Sequence, residues 1–379
     1  MKLLFAGGGT AGHINPALAI AQYIKQHHPE ADIRFVITRN GLESRLVPQA
    51  GFETFEMDIR GFSRQVSLQG MKYNLSTGTK VLTSMCRASR ILKEFRPDLV
   101  VGTGGYVSGP ILYKAARMGI PTAVHESNAY PGVTVKLLSR YVDRVLMGAE
   151  DAMKYIKRKN RCVVVGNPVR EEFLYTKKEE ARKTLGLDER PLILSYGGSL
   201  GAQSINRAVA DLMAAHSGQK RCYHIHSAGK NNAQFVQDLL AQKGVDLNEN
   251  PQIMLREYID DMGLWFAAAD LVICRSGSMT ISELEVMGKA SILIPYPYAA
   301  ENHQYYNALA LADRGAAELI EDKNLTGEGL TARALALLDD PDQLSEMGKA
   351  CQGMAILDSL DRIYEVLAGL LSGPVKKKS

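Results

Sequence analysis

His13 closes a glycine-rich run, Gly7-Gly8-Gly9-Thr10-Ala11-Gly12-His13, and Asn15-Pro16 follows it. An imidazole titrates near neutrality, so a histidine held at such a loop can take the proton of an attacking hydroxyl. The plainer alternative is a histidine that packs or hydrogen-bonds within its own loop. Asn15 and Pro16 read as the cap and first residue of the following helix, whose positive end disfavours the charged imidazole. Two more glycine-rich segments recur, Gly102-Thr103-Gly104-Gly105-Tyr106 and Gly197-Gly198-Ser199-Leu200-Gly201-Ala202. Glycines let backbone N–H groups close on a ligand, and a helix starting just beyond a strand aims its positive end there. Each segment therefore reads as a phosphate or diphosphate cradle. Ser199 can add its hydroxyl to a diphosphate, cap a helix, or do both.

Glu283 lies three residues after Thr280 in Cys274-Arg275-Ser276-Gly277-Ser278-Met279-Thr280-Ile281-Ser282-Glu283. That spacing fits a capping box, and it fits equally a carboxylate that accepts both ribose hydroxyls of a nucleotide; both readings stay open on spacing alone. His125-Glu126-Ser127-Asn128 follows a run that reads as a strand, and Pro295-Tyr296-Pro297 leads into Glu301-Asn302-His303-Gln304. Polar clusters beyond strand carboxyl ends are where open α/β sheets bind ligands. Asp340-Pro341-Asp342 superficially resembles a metal-binding pair, but it lies between helical patterns with no strand before it and reads as a surface turn. No metal site is expected. The chain lacks G-x-S-x-G, G-x-x-x-x-G-K-[ST] and H-E-x-x-H, so serine hydrolase, P-loop NTPase and zinc protease lose their usual markers. Gly7-x-Gly9-x-x-Gly12 matches a dinucleotide fingerprint, yet the next strand ends in Ile37-Thr38-Arg39 with no acid placed for a ribose. Arg39 could suit a 2′-phosphate, so a nicotinamide-dependent oxidoreductase stays as an alternative.

Short runs that are apolar on both faces carry these loops: Lys2–Ala6, Ile33–Ile37, Leu99–Val101, Thr122–Val124 and Arg144–Met147, then Leu192–Tyr196, His224–Ser227, Leu271–Cys274 and Ser291–Pro295. Helical patterns fill the intervals, which predicts two doubly wound α/β domains with parallel sheets. The boundary is expected near Val163-Val164-Val165-Gly166-Asn167-Pro168, ahead of a charged helical stretch from Glu171 to Leu185. That gives domains of about 1–165 and 166–356. The last helical pattern, with Leu360, Ile363, Val366, Leu367 and Leu370 on one side, needs a partner face, and the segment of about 357–379 is open to packing back on the first domain.

The 379 residues are 46% hydrophobic and 23% charged, an ordinary composition for a globular protein. Forty-five basic residues against 41 acidic give a net +4, and three of the basic ones are the tail lysines Lys376, Lys377 and Lys378. The near-neutral body argues against a dedicated nucleic-acid binder. Cys86, Cys162, Cys222, Cys274 and Cys351 show no pairing or zinc-ligand spacing and read as reduced thiols in a cytosolic protein. No apolar run is long enough for a signal-peptide core or a membrane span.

Seven segments in order resemble one family: Gly8-Gly9-Thr10-Ala11-Gly12-His13-Ile14-Asn15-Pro16, Gly104-Gly105-Tyr106-Val107-Ser108-Gly109-Pro110, His125-Glu126-Ser127-Asn128, Gly166-Asn167-Pro168-Val169-Arg170, Gly197-Gly198-Ser199-Leu200-Gly201-Ala202, Cys274-Arg275-Ser276-Gly277 and His303-Gln304-Tyr305-Tyr306-Asn307-Ala308. The family is the N-acetylglucosaminyltransferases of bacterial peptidoglycan synthesis, the MurG family, and the resemblance covers nearly the whole chain. It implies a GT-B fold, two Rossmann-like domains with a deep cleft. It also implies inverting transfer of GlcNAc from UDP-GlcNAc to the 4-hydroxyl of MurNAc-pentapeptide on undecaprenyl diphosphate, lipid I to lipid II. The second domain is expected to hold the donor and the first the acceptor.

Carried over by motif, Arg170, Ser199, Ile259, Met279, Thr280, Glu283, His303 and Gln304 are expected at the donor, with Ile259 near the uracil and Glu283 on the ribose. Thr10, Ala11, Gly12 and Asn128 match positions that contact sugar or diphosphate, and Gly104, Gly105 and Tyr106 form the acceptor-side loop. His13 and Glu126 are the catalytic candidates, His13 as the base. Glycine-loop N–H groups, a helix end and Arg170 are expected to stabilise the leaving diphosphate, with no metal or other cofactor. Ala11 stands where the family usually has glycine, and Ser127 where glutamine is more common. The lipid acceptor implies peripheral attachment to the cytoplasmic face of the plasma membrane. Residues 71–95 mix Lys72, Lys80, Arg87, Arg90 and Lys93 with Leu75, Val81, Leu82, Met85 and Ile91, a candidate face for anionic lipid, or else a half-buried helix with a solvated charge stripe. Other cell-wall synthesis proteins are candidate partners. Alternatives within the fold are a UDP-GlcNAc 2-epimerase or a glycolipid glycosyltransferase, and outside enzymes a sugar-nucleotide-binding protein.

Overall fold

The computed structural model describes residues 1–59 and 83–373. They form two compact units, one of Met1–Pro168 with the chain from Asp358 onward, the other of Val169–Leu357.

The first unit runs β1 (Lys2–Ala6), α1 (Ala11–His27), β2 (Asp32–Ile37), α2 (Glu43–Gln49), β3 (Glu53–Glu56), a helix α3 over 83–95, β4 (Leu99–Gly102), α4 (Gly105–Arg117), β5 (Thr122–Glu126), α5 (Val133–Leu138), β6 (Arg144–Met147) and β7 (Cys162–Val164). Every pairing is parallel, in the order β3-β2-β1-β4-β5-β6-β7. β1, β4 and β5 are buried almost throughout because helices cover both faces, which is why these runs read as continuously apolar.

The second unit begins with two short helices, α6 (Glu171–Tyr175) and α7 (Lys178–Leu185), rather than one stretch from Glu171 to Leu185. The chain is extended at Thr176 and Lys177, so Phe173 and Ala181 enter the core from separate helices. Then come β8 (Leu192–Tyr196), α8 (Gln203–Ser217), β9 (Tyr223–Ser227), α9 (Ala233–Gln242), β10 (Ile253–Arg256), α10 (Met262–Ala268), β11 (Leu271–Cys274), α11 (Ser278–Met287), β12 (Ala290–Leu293), α12 (His303–Ala312), β13 (Ala317–Leu319), α13 (Gly327–Leu338) and α14 (Pro341–Gln352). The parallel order is β10-β9-β8-β11-β12-β13. β12 stops at Leu293, two residues short of the Ser291–Pro295 run. Asp340 is the N-cap of α14 and accepts from Gln343 N at 2.9 Å, with Pro341 opening the helix, so the Asp-Pro-Asp segment is a helix start rather than a free turn.

The final helix, α15 (Ser359–Ser372), belongs to the first unit. Ile363 and Leu367 are buried with Leu3, Phe5, Ile14 and Ile20, while Tyr23 donates to Asp361 and His28 bonds Tyr364 at 2.7 Å. A single apolar stripe thus finds its partner face on α1 and the central strands β1 and β4 behind it.

In both sheets the strand order reverses at one place, between β1 and β4 in the first unit and between β8 and β11 in the second. Successive crossovers leave to opposite faces there, which opens a crevice at the carboxyl ends of the strands. The glycine segments at residues 7–12, 102–106 and 197–202, and the Cys274–Gly277 turn, follow these four strands.

Candidate functional site

In the first unit, α1 begins at Ala11, with Thr10 as its N-cap, so His13 is already the third helical residue. The expected Asn15-Pro16 cap is not where the helix starts: Pro16 lies inside it. Proline has no N–H for the Gly12 carbonyl, which loosens the first turn from the body of the helix. The same design recurs in α4, which starts at Gly105 and carries Pro110 at the same sixth position. The two first turns meet. Thr103 Oγ1 donates to the His13 carbonyl at 2.6 Å, and a side chain on Gly105 would collide with the Gly8 carbonyl. Gly104 has φ +98, and a β-carbon there would fall 2.8 Å from His13 Nδ1, so the imidazole lies directly against glycine backbone.

His125 and Glu126 are the last residues of β5 rather than part of a loop after it. His125 is fully buried; its Nε2–H donates to the Gly166 carbonyl at 3.0 Å and its Nδ1 lies 3.3 Å from Ser127 Oγ. Burial drives it down to about 4, so it is a neutral brace. Ser127, the departure from glutamine, thereby serves the brace. The Glu126 carboxylate is 3% exposed and accepts from Asn128 N at 3.0 Å, Asn128 Nδ2 at 2.9 Å and Gly132 N at 2.9 Å. Burial raises its pKa, opposed by these bonds and by Lys136. Both oxygens are thus engaged in closing the loop that presents Asn128.

In the second unit, the segment at 197–202 is tied to its neighbour. Gly201 N donates to Gly198 O at 2.8 Å, Lys230 N to Ser199 O at 3.1 Å, and Asn232 Nδ2 to Leu200 O at 3.0 Å. The N-cap of α8 is Ala202, so Ser199 is not the cap, and its side chain is exposed. Gly198, at φ +95, faces open space.

The N-cap of α11 is Gly277, which makes Thr280 the third helical residue and Glu283 the sixth. The capping-box reading of Thr280 and Glu283 therefore fails. Glu283 instead stands one turn in, 3.5 Å from Arg170 NH2, and Arg170 NH1 also pairs with Glu172 at 2.8 Å. Burial pushes Glu283 up to about 7, with Arg170 pulling it down and Glu172 adding to the rise. Behind it the Cys274 thiol, fully buried, is pushed up to about 12 and is inert. Ile259 is 3% exposed with its side chain in the core, so what it offers a base is its backbone, while neighbouring Tyr258 is exposed.

Gln304 is fixed through both ends. Its carbonyl oxygen takes the Tyr296 N–H at 2.9 Å, and its main-chain oxygen takes Ser276 Oγ at 2.8 Å, so its amide NH2 remains to donate. His303 Nδ1 donates to Ala300 O at 2.6 Å. Just ahead, Glu301 and Asn302 both have positive φ, 52° and 53°, an uncommon conformation that steers α12 into place. Thr10, Ala11 and Met279 complete the first turns or caps of α1 and α11. Of the segments named at the sequence level, those at 7–12, 102–106, 197–202 and 274–277 follow the strands at the two strand-order reversals, each within its own unit, whereas Asn128 follows β5, Arg170 follows β7, Ile259 follows β10 and Gln304 follows β12.

One residue of interest escaped the sequence. Arg39 pairs with Glu56 on the surface at 2.9 Å rather than standing ready for a phosphate. The acid sought after β2 is instead Glu43, the first residue of α2, which turns back beneath the first glycine run. Its carboxylate is buried and takes the Gly9 N–H, so it offers nothing to a ribose. Among the described residues no group of three or more His, Cys, Asp or Glu side chains is arranged to hold a metal ion.

Residues 3–147, in the first unit, match the glycosyltransferase family 28 N-terminal domain, and residues 192–363, the second unit with the start of α15, match the family 28 C-terminal domain. The chain is 45% identical over 372 residues, 98% of each chain, to the UDP-N-acetylglucosamine–N-acetylmuramyl-(pentapeptide) pyrophosphoryl-undecaprenol N-acetylglucosamine transferase of Acetivibrio thermocellus. It is similar to the crystal structure of Acinetobacter baumannii MurG, with 27% identity, a TM-score of 0.78, and 97% and 99% of the two chains covered. A UDP-GlcNAc 2-epimerase from Neisseria meningitidis, solved bound to UDP-GlcNAc, shares the fold at 15% identity, with a TM-score of 0.64 and 97% and 100% coverage.

Proposed function

We infer the function from one premise: this chain belongs to the family of UDP-N-acetylglucosamine–N-acetylmuramyl-(pentapeptide) pyrophosphoryl-undecaprenol N-acetylglucosamine transferases. It is a GT-B glycosyltransferase that moves GlcNAc from UDP-GlcNAc to lipid I, forming lipid II in peptidoglycan synthesis. The observation that carries this is 45% identity along 98% of both chains. Acceptor-dependent release of UDP tests it.

We propose that the second unit holds the donor and the first the acceptor. Glu283 accepts the ribose hydroxyls, and the Ile259 backbone meets the uracil. Ser199 and the N–H groups around Gly198 meet the diphosphate, with Arg170 beside it, and the Gln304 amide, with His303, addresses the sugar; Met279 and Thr280 line the first turn of α11. On the acceptor side, His13 removes the proton of the muramyl 4-hydroxyl as it attacks the anomeric carbon opposite UDP, so the configuration inverts. Thr10, Ala11, Gly12, Gly104, Gly105 and Tyr106 shape the acceptor pocket. Of the two catalytic candidates, Glu126 acts through Asn128: it fixes the loop, and His13 handles the proton.

A lipid-linked acceptor calls for a membrane-facing surface, at the cytoplasmic face where UDP-GlcNAc is available. No helix among the described residues is long and apolar enough to cross a membrane. Of the stretch 71–95, residues 71–82 and the tail lysines lie outside the described residues. In α3, Ile91 is buried with Ala88, Leu92 and Phe95, so its apolar side serves the core, and Arg90 and Lys93 face solvent. An exposed apolar pair lies on α5 instead: Val133 and Leu137, four residues apart, are 52% and 54% exposed, and exposed Arg140 and Tyr141 follow. Apolar residues that insert beside a cation that meets anionic headgroups make this the docking face. The parent protein should bind phosphatidylglycerol vesicles at low salt, and Val133→Asp/Leu137→Asp should lose most of that binding in co-sedimentation. Equal binding by both proteins, or none by the parent, rejects this face.

A further inference from the structure

Behind the first glycine run lies a buried carboxylate with no cation beside it among the described residues. Glu43 is 0% exposed. Its Oε1 takes the Thr38 hydroxyl at 2.6 Å and the Thr38 N–H at 3.4 Å, and its Oε2 takes the Gly9 N–H at 3.2 Å. The fit is close on two further sides. A β-carbon on Gly8 would lie 2.6 Å from Oε1, and one on Gly41 would collide with the carboxylate. The other side of the same run is occupied by the second loop, with Gly105 against the Gly8 carbonyl and the Tyr106 ring 3.1 Å from where a Gly9 β-carbon would stand. The run that leads into His13 is therefore held between a carboxylate and the α4 turn.

Burying a carboxylate is costly unless strong hydrogen bonds repay it, and here the donors are all uncharged. A structural filler of this size could be apolar at no such cost. The charge also changes what the loop can bind, because the Gly9 N–H points inward to Glu43 and is not available to a phosphate.

We propose that Glu43 is a positioning residue for acceptor binding: through the Gly9 amide it sets the conformation of the loop that carries His13, and it makes that stretch of the loop a seat for an uncharged sugar rather than for phosphate. This rests on the assignment of the acceptor to the first unit.

The test is a pair of variants, Glu43→Leu and Glu43→Gln. Leucine offers the Gly9 N–H no acceptor, so the KM for a lipid I analogue should rise about tenfold, the scale of one unpaired buried donor, with the KM for UDP-GlcNAc unchanged. Glutamine keeps an oxygen for the Gly9 N–H and turns its NH2 to the Thr38 hydroxyl, which can accept as well as donate, so its acceptor KM should stay close to that of the parent. A purely structural role would move the donor and acceptor constants together. An unchanged acceptor KM in Glu43→Leu, an equal rise for the donor, or a glutamine variant as impaired as the leucine one overturns the proposal. If Glu43→Leu does not fold, Thr38→Val decides alone: an acceptor KM raised about threefold at constant donor KM supports it, and an unchanged value overturns it. A parent enzyme that shows no acceptor-dependent turnover would instead defeat the functional assignment, before any variant is compared.

Discussion

His13→Ala lowers kcat by about a thousandfold, within the range of a lost general base, and leaves the KM for UDP-GlcNAc unchanged. The asymmetry follows from placement. His13 belongs to the first unit, on the loosened first turn of α1, with its ring against the bare backbone of Gly104. Ser199, Glu283 and Gln304, proposed to hold the donor, belong to the second unit. The other catalytic candidate, Glu126, is already engaged, because both its oxygens accept hydrogen bonds from Asn128 and Gly132. Steady-state kinetics with a lipid I analogue, together with a direct UDP-GlcNAc binding measurement, check this. Turnover within a few-fold of the parent, in a protein that still binds donor, removes His13 as the base.

Donor binding weakens as the pH falls through about 7, because Glu283 titrates there and only its ionised form accepts two ribose hydroxyls. The sign is fixed by the cause. Burial raises this carboxyl well above its usual range, so below pH 7 it is mostly protonated and one oxygen becomes a donor. The KM for UDP-GlcNAc should therefore rise about tenfold from pH 8 to pH 6, as expected for one required deprotonation with a pKa near 7. Donor binding near pH 7 should release a proton, measurable as a buffer-dependent heat in calorimetry. Glu283→Gln should bind donor about a hundredfold more weakly at pH 8, the scale of a lost charge-assisted pair, and its KM should be flat over the same range. A flat profile in the parent, or the same slope in Glu283→Gln, contradicts the ribose assignment.

Much of this molecule was legible before its structure. Strands buried on both faces betray themselves as unbroken apolar runs, so β1, β6, β8 and β11 match the sequence reading residue for residue. The short edge strands β3 and β13 did not, because Glu53, Glu56 and Glu318 interrupt their apolar pattern and edges are covered on fewer sides. Helix starts misled in a consistent way. A proline reads as a first helical residue, yet Pro16 sits a turn and a half inside α1, whose N-cap is Thr10. The same displacement hid the standing of Glu283: counted from Thr280 it fits a capping box, and counted from Gly277 it is an acid in the interior of the first turns.

Glu43 was beyond reach of spacing rules. Nothing in Asn40-Gly41-Leu42-Glu43 marks an acid that folds back on a loop 34 residues earlier, since that closeness is made by the parallel pairing of β1 with β2. The three glycine segments, read alike as phosphate cradles, are chemically unlike. The segment at 197–202 leaves Gly198 open, whereas the first commits an amide to a buried carboxylate.

The central claim is a transfer of GlcNAc to a lipid-linked acceptor, and the most direct measurement is UDP release from UDP-GlcNAc with and without a lipid I analogue. The account predicts release that depends on the acceptor and equals the lipid II analogue formed. UDP release or epimerisation of UDP-GlcNAc at the same rate without acceptor would contradict it.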